Sequence, residues 1–99
     1  MNEIDNLQEW YLRYCNDDWE HQYGVSIDTL DNPGWSLKID LKGTDLEKEK
    51  MDPIEIHRSE EDWVVARRSE YVFEAFCGAR NLAEMIRTFL DWEQNTRAP

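Results

Sequence analysis

Residues 25–41 read Val25-Ser26-Ile27-Asp28-Thr29-Leu30-Asp31-Asn32-Pro33-Gly34-Trp35-Ser36-Leu37-Lys38-Ile39-Asp40-Leu41. Val25, Ile27 and Thr29 alternate with Ser26 and Asp28; Trp35, Leu37, Ile39 and Leu41 alternate with Ser36, Lys38 and Asp40. A period of two with one apolar face is the pattern of a half-buried strand. Between the two runs, Pro33 fixes φ, Gly34 accepts positive φ, and Asp31 and Asn32 bond back to the turn. A five-residue loop, 30–34, sets Thr29 opposite Trp35, Ile27 opposite Leu37 and Val25 opposite Ile39. That register gathers the apolar side chains on one face, as an antiparallel hairpin with one wet face requires.

Upstream, Asn6 followed by Glu9 has the spacing of a capping box, and Leu7, Trp10, Tyr11 and Tyr14 share one helical face. A helix over 5–15 is predicted, stopped by Asn16-Asp17-Asp18. Downstream, Gly43 to Asp52 is a charged connection anchored by Leu46 and Met51, read as a solvated loop or a short turn of helix. Pro53 opens a short strand, Ile54 to Arg58, and Ser59-Glu60-Glu61-Asp62 is an acidic turn. Trp63–Arg68 and Tyr71–Phe76 form a second hairpin around Ser69-Glu70, with Val64 opposite Ala75 and Ala66 opposite Phe73. Its core face is Val64, Ala66, Phe73 and Ala75. Its other face carries Trp63, Val65, Arg67, Val72, Glu74 and Phe76, with an Arg67 to Glu74 cross-strand pair, and is either partly covered or a contact surface.

Asn81 with Glu84 caps the last helix, 81–94, in which Leu82, Met85, Ile86, Phe89 and Leu90 keep one stripe; Asn95 to Pro99 should fray. The whole is one domain, 1–99, of the α+β class. Its two layers are an antiparallel meander of about five strands across 23–76 and the two terminal helices on one face.

The 99 residues include 22 acidic and 11 basic side chains, a formal charge of -11, with five Trp, four Tyr and three Phe to build a core. Such a surface repels phosphate backbones and anionic head groups, which argues against nucleic-acid or membrane partners. It suits a basic protein surface. No apolar run approaches the ~18 residues that span a bilayer, and Met1 to Asp5 lacks a secretory pattern, so a cytoplasmic protein is expected. Cys15 and Cys77 lie in no metal or redox spacing and read as reduced, structural thiols.

The densest polar cluster is Asp17-Asp18-Trp19-Glu20-His21. Carboxylates and an imidazole this close suit a divalent metal or acid/base chemistry. The same residues suit a helix-ending turn anchored by Trp19 and Tyr23, or a partner-binding loop. No other cluster supplies further ligands, and neither H-E-x-x-H nor a phosphate loop is present. His57 points outward from a short strand; Ser26, Ser36, Ser59 and Ser69 lie in no G-x-S-x-G; Cys77 has no His nearby in sequence. No enzyme, metal site or cofactor is expected. Acids beside a Trp recur instead at Asp31 with Trp35 and at Glu60, Glu61 and Asp62 with Trp63.

Leu7-Gln8-Glu9-Trp10-Tyr11, Asp18-Trp19-Glu20-His21-Gln22-Tyr23-Gly24, Leu30-Asp31-Asn32-Pro33-Gly34-Trp35 and Arg58-Ser59-Glu60-Glu61-Asp62-Trp63, followed by the Asn81-Leu82 helix, resemble the immunity protein 53 family over nearly the whole chain. Members are small proteins of bacterial polymorphic toxin systems. The resemblance implies neutralisation of a cognate toxin by binding, without a catalytic motif. The partner surface expected on this reading is Asp17, Asp18, Glu20, Asp31 and Trp35, with Glu60, Glu61, Asp62 and Trp63. It would occlude a basic face, the cleft of a nuclease toxin being one such face. The alternatives are a small metal-binding or hydrolytic domain using Asp17, Asp18, Glu20 and His21, or an interaction module unrelated to toxins.

Overall fold

The hairpin at 25–41 forms in the register its alternation predicts. In the computed structural model, which describes residues 2–97, β1 (Val25–Leu30) and β2 (Gly34–Asp40) pair antiparallel with Thr29 opposite Trp35, Ile27 opposite Leu37 and Val25 opposite Ile39. Pairing continues one step further, Leu30 opposite Gly34, so the loop is the three residues 31–33 rather than five. Leu37 and Ile39 are fully buried, but Ile27 is 40% exposed, because β1 lies at the sheet edge beyond the cover of the helices.

Three more strands, β3 (Ile54–His57), β4 (Trp63–Ser69) and β5 (Val72–Cys77), complete an antiparallel sheet in the order β1-β2-β5-β4-β3. The chain meanders within each of two runs, β1–β2 and β3–β4–β5. They join between β2 and β5, where Leu37 faces Ala75 and Ile39 faces Phe73, so the connection 41–53 crosses to the far edge. The second hairpin pairs two residues further along than expected. Val64 faces Cys77, Ala66 faces Ala75 and Ser69 faces Val72, with Glu70 turning at φ 53°. A slip of two leaves every side chain on its expected face. It brings Cys77 opposite Val64, both fully buried, and Arg67 directly opposite Glu74, bonded Nε to Oε1 at 3.0 Å.

The first helix, α1 (Glu3–Tyr14), starts earlier than expected. Asn2 rather than Asn6 is its cap, accepting the Asp5 amide at 2.9 Å, and Glu3 and Asp5 in the first turn complement the helix dipole. Leu7 and Trp10 are buried, whereas Tyr11, assigned to the same face, is 38% exposed. A one-turn helix, α2 (Trp19–Gln22), follows directly after the stop at 16–18. α3 (Leu82–Arg97) continues past its expected end at 94, where Arg97 pairs with Glu93 at 3.1 Å; Ala98 and Pro99, also expected to fray, lie outside the described residues. The buried Glu93 also meets Arg13 of α1 at 3.5 Å, which clamps the two long helices.

Aromatic contacts run through the core from one layer to the other. Trp10 packs edge-on against Phe89 at 5.0 Å, Phe89 against Phe73 at 5.1 Å, and Phe73 stacks on Trp92 at 6.0 Å. The connection 43–52, expected as a solvated loop or a short turn of helix anchored by Leu46 and Met51, is tied down more firmly than that. Arg68 donates to the carbonyls of Leu46, Glu47 and Glu49, and Leu46 is buried. An irregular segment against a core needs donors for its carbonyls, and a guanidinium supplies several in one plane.

Close approach of β2 and β5 requires Gly34: a Cβ there would sit 2.3 Å from the Cys77 carbonyl oxygen, whereas one at Gly24 meets nothing within 4 Å. Gly34→Ala is expected to lower unfolding free energy by about 2 kcal/mol or more, and Gly24→Ala to change it by less than about 0.5 kcal/mol. Urea denaturation of both variants checks this contrast, and equal midpoints would contradict the packing described.

Candidate partner-binding surface

Antiparallel pairing puts the starts of β2 and β4 at the same end of the sheet as the finishes of β1, β3 and β5. There the turn 31–33, the turn 58–62 and the β5–α3 link converge. Trp35 Nε1 donates to the Ala79 carbonyl at 3.0 Å, and the Gly78 amide donates to the Trp63 carbonyl at 3.0 Å. The backbones come so close that a Cβ on Gly78 would lie 2.1 Å from the Glu61 carbonyl oxygen. Asp31, Trp35, Glu60, Glu61, Asp62 and Trp63 therefore share one end.

Asp17, Asp18 and Glu20 do not join them. Trp19 Nε1 donates to the Lys42 carbonyl at 2.8 Å and the Gly24 amide to the Asp40 carboxylate at 2.9 Å, which fixes this group at the opposite end, past the finish of β2. The two Trp residues of the turn end also differ. Trp35 shares the helix-covered face with the buried Leu37, whereas Trp63, one residue before the buried Val64, lies on the open face.

At the turn end the acids divide by role. Asp62 accepts from Arg58 at 2.6 Å and from Asn81 Nδ2 at 2.9 Å; Glu84 accepts from the same Asn81 Nδ2 at 3.0 Å and from both terminal nitrogens of Arg58. Hydrogen bonds from Asn81 and then Arg58 hold the Asp62 carboxyl below its ordinary range, and those from Arg58 and then Asn81 do so for Glu84. Ser59 Oγ accepts the Asp62 amide at 3.1 Å, closing the turn. Asp31, Glu60 and Glu61 remain exposed, with no ion pair among the described residues. Arg58, Asn81 and Glu84 were no part of the surface expected from sequence. The Asn81–Glu84 spacing was visible as a cap, but the Arg58–Glu84 pair spans 26 residues and has no local signal.

At the other end, Glu20 is occupied by the backbone. Its oxygens accept the amides of Asn16 and Asp17 at 2.8 Å each, and hydrogen bonds from its own amide and then these two lower its carboxyl from the ordinary value. Asp18 accepts from Gln22 at 3.2 Å. Among the described residues no three His, Cys, Asp or Glu side chains are placed to hold a metal ion. His57 is exposed, 3.3 Å from Glu55. The Cys77 thiol is pushed up to about 11 by burial, which makes it a poor nucleophile. No helix among the described residues is long and apolar enough to cross a membrane.

Fold and surface define a small acidic α+β domain whose turns are locked by ion pairs at one end and left charged at their rims. Residues 4–94 match the family model of immunity protein 53, and the chain belongs to that family. No curated protein and no solved structure matches it.

The lowered carboxyls give stability that is present above their unfolded values and lost as pH falls through the folded ones. Urea midpoints of the wild type and Arg58→Gln are expected to differ at pH 7, and the gap should close as pH drops below about 4. A gap that stays constant down to pH 3 would refute a titrating cluster.

Proposed function

We propose that this chain is a cytoplasmic immunity protein of a bacterial polymorphic toxin system, a non-enzymatic inhibitor that binds its cognate toxin one to one. The observation that carries the reading is that Asp31, Glu60 and Glu61, exposed and with no ion pair among the described residues, lie with Trp63 at one end of the sheet. With a formal charge of -11 behind them, these carboxylates steer the chain to a basic toxin surface and hold it there by occlusion; the substrate cleft of a nuclease is such a surface. Asp62 serves by fixing the turn through Arg58 and Asn81. Trp35, its indole N–H committed to Ala79, supports the end from the covered face. Asp17, Asp18 and Glu20 form a second acidic group, too far round the sheet to share the same contact.

The test is co-expression with the candidate toxin encoded next to this chain, followed by stopped-flow association. Asp31→Lys with Glu60→Lys and Glu61→Lys should slow association about tenfold at low ionic strength and much less at high. Asp17→Lys with Asp18→Lys should leave it nearly unchanged. The reverse ranking would move the contact to the α2 end, and failure to relieve growth arrest by the intact chain would defeat the reading.

A further inference from the structure

The other feature of the molecule that points to a partner is the edge strand β1. The Asp40 amide bonds to the Gly24 carbonyl at 3.0 Å, which fixes the parity of the ladder. Gly24, Ser26, Asp28 and Leu30 bond toward β2, so the N–H and C=O groups of Val25, Ile27 and Thr29 point away from the sheet. Neither long helix covers this strand. α1 packs on α3, and α3 on β2, β4 and β5. A groove of about 500 Å³ is left between α1 and β1, lined by Ile4, Leu7, Tyr11, Val25, Ile27 and Leu82 and by no charged side chain. Ile4 is 55% and Ile27 40% exposed. Natural edges are blunted by Pro, Lys or bulges; β1 has none of these, only Asp28 on its open face.

We propose that β1 receives an added strand from the toxin, an extended segment alternating basic and apolar residues, whose apolar side chains fill the α1–β1 groove while its Lys or Arg side chains lie beside Asp28. The inference rests on the immunity reading and adds a second contact to it. Main-chain bonds to Val25, Ile27 and Thr29 supply affinity, and the groove together with Asp28 supplies selectivity. Charge decides between occupants. A second copy would bring another formal charge of -11 to the same edge, whereas a basic strand neutralises part of it.

A short blocked peptide alternating lysine with valine or isoleucine is the probe, read by fluorescence anisotropy and by amide exchange. It is expected to bind and to protect the Val25, Ile27 and Thr29 amides, while a glutamate-for-lysine version and a version with the lysines grouped bind at least about tenfold more weakly. Ile27→Pro removes an edge N–H that β2 does not use and should weaken binding by about tenfold or more. Ile27→Lys, which keeps the backbone and charges the groove, should do the same. Absence of binding, protection elsewhere, indifference to both variants, or a free protein that dimerises through these amides would each overturn the proposal. If the peptide arms fail while the intact chain still relieves growth arrest, strand addition alone is refuted; if relief of growth arrest fails, the immunity reading falls whatever the peptide does.

Discussion

Pairing of β2 with β5 is the constraint on which the rest of the molecule depends. It joins two runs of strand separated by the 41–53 connection, and it puts Leu37, Ile39, Phe73, Ala75 and Cys77 into one fully buried block under the helices. Its contact is tight enough that Gly34 has no room for a side chain against the Cys77 carbonyl. The same pairing sets the turn 31–33 beside the β5–α3 link and hence near the turn 58–62. Without it, the two turns that carry Asp31 and the pair Glu60 and Glu61 would not share one end of the sheet.

Tryptophan does more of the fastening than the composition suggests. Three indole N–H groups each donate to the carbonyl of an irregular segment: Trp19 to Lys42, Trp35 to Ala79 and Trp92 to Lys50. An indole has one donor and a large apolar body, so it covers the core while holding a loop to it. The recurrence of acids beside Trp in the sequence is thus partly a rule of construction: the Trp residues pin the turns, and the acids at their rims stay in water. Trp10, whose buried indole N–H has no partner among the described residues, and Trp63, which lies on the open face next to the exposed pair Glu60 and Glu61, are the exceptions.

Much of the fold was legible because local physics and tertiary packing agree. Alternation in 25–41 specified the first register, since any odd slip would turn Leu37 and Ile39 outward. The Asn81–Glu84 spacing marked where α3 starts, although the expected cap bond does not form: Asn81 Nδ2 donates to Glu84 while Asn81 Oδ1, buried, has no partner among the described residues. The second hairpin was less determined, because a slip of two residues preserves its faces and only the burial of Cys77 and the Arg67–Glu74 contact choose between registers. Asn2 outcompeted Asn6 as a cap, a choice that spacing alone does not make. The junction between β2 and β5, and with it the division of the acids between two ends, depends on contacts far apart in sequence. The Arg58 cluster and the anchoring of 44–50 by Arg68 were hidden for the same reason.

On the proposed function, the toxin docks on the turn end of the sheet, with its rim of Asp31, Glu60 and Glu61. Amide hydrogen exchange of the complex with the toxin that this chain neutralises tests it most directly. Protection is expected over 31–35, 58–63 and 78–80, joined by Val25, Ile27 and Thr29 where strand addition also occurs, with little change over 16–22. Protection confined to 16–22, and none across the turn end, would contradict it.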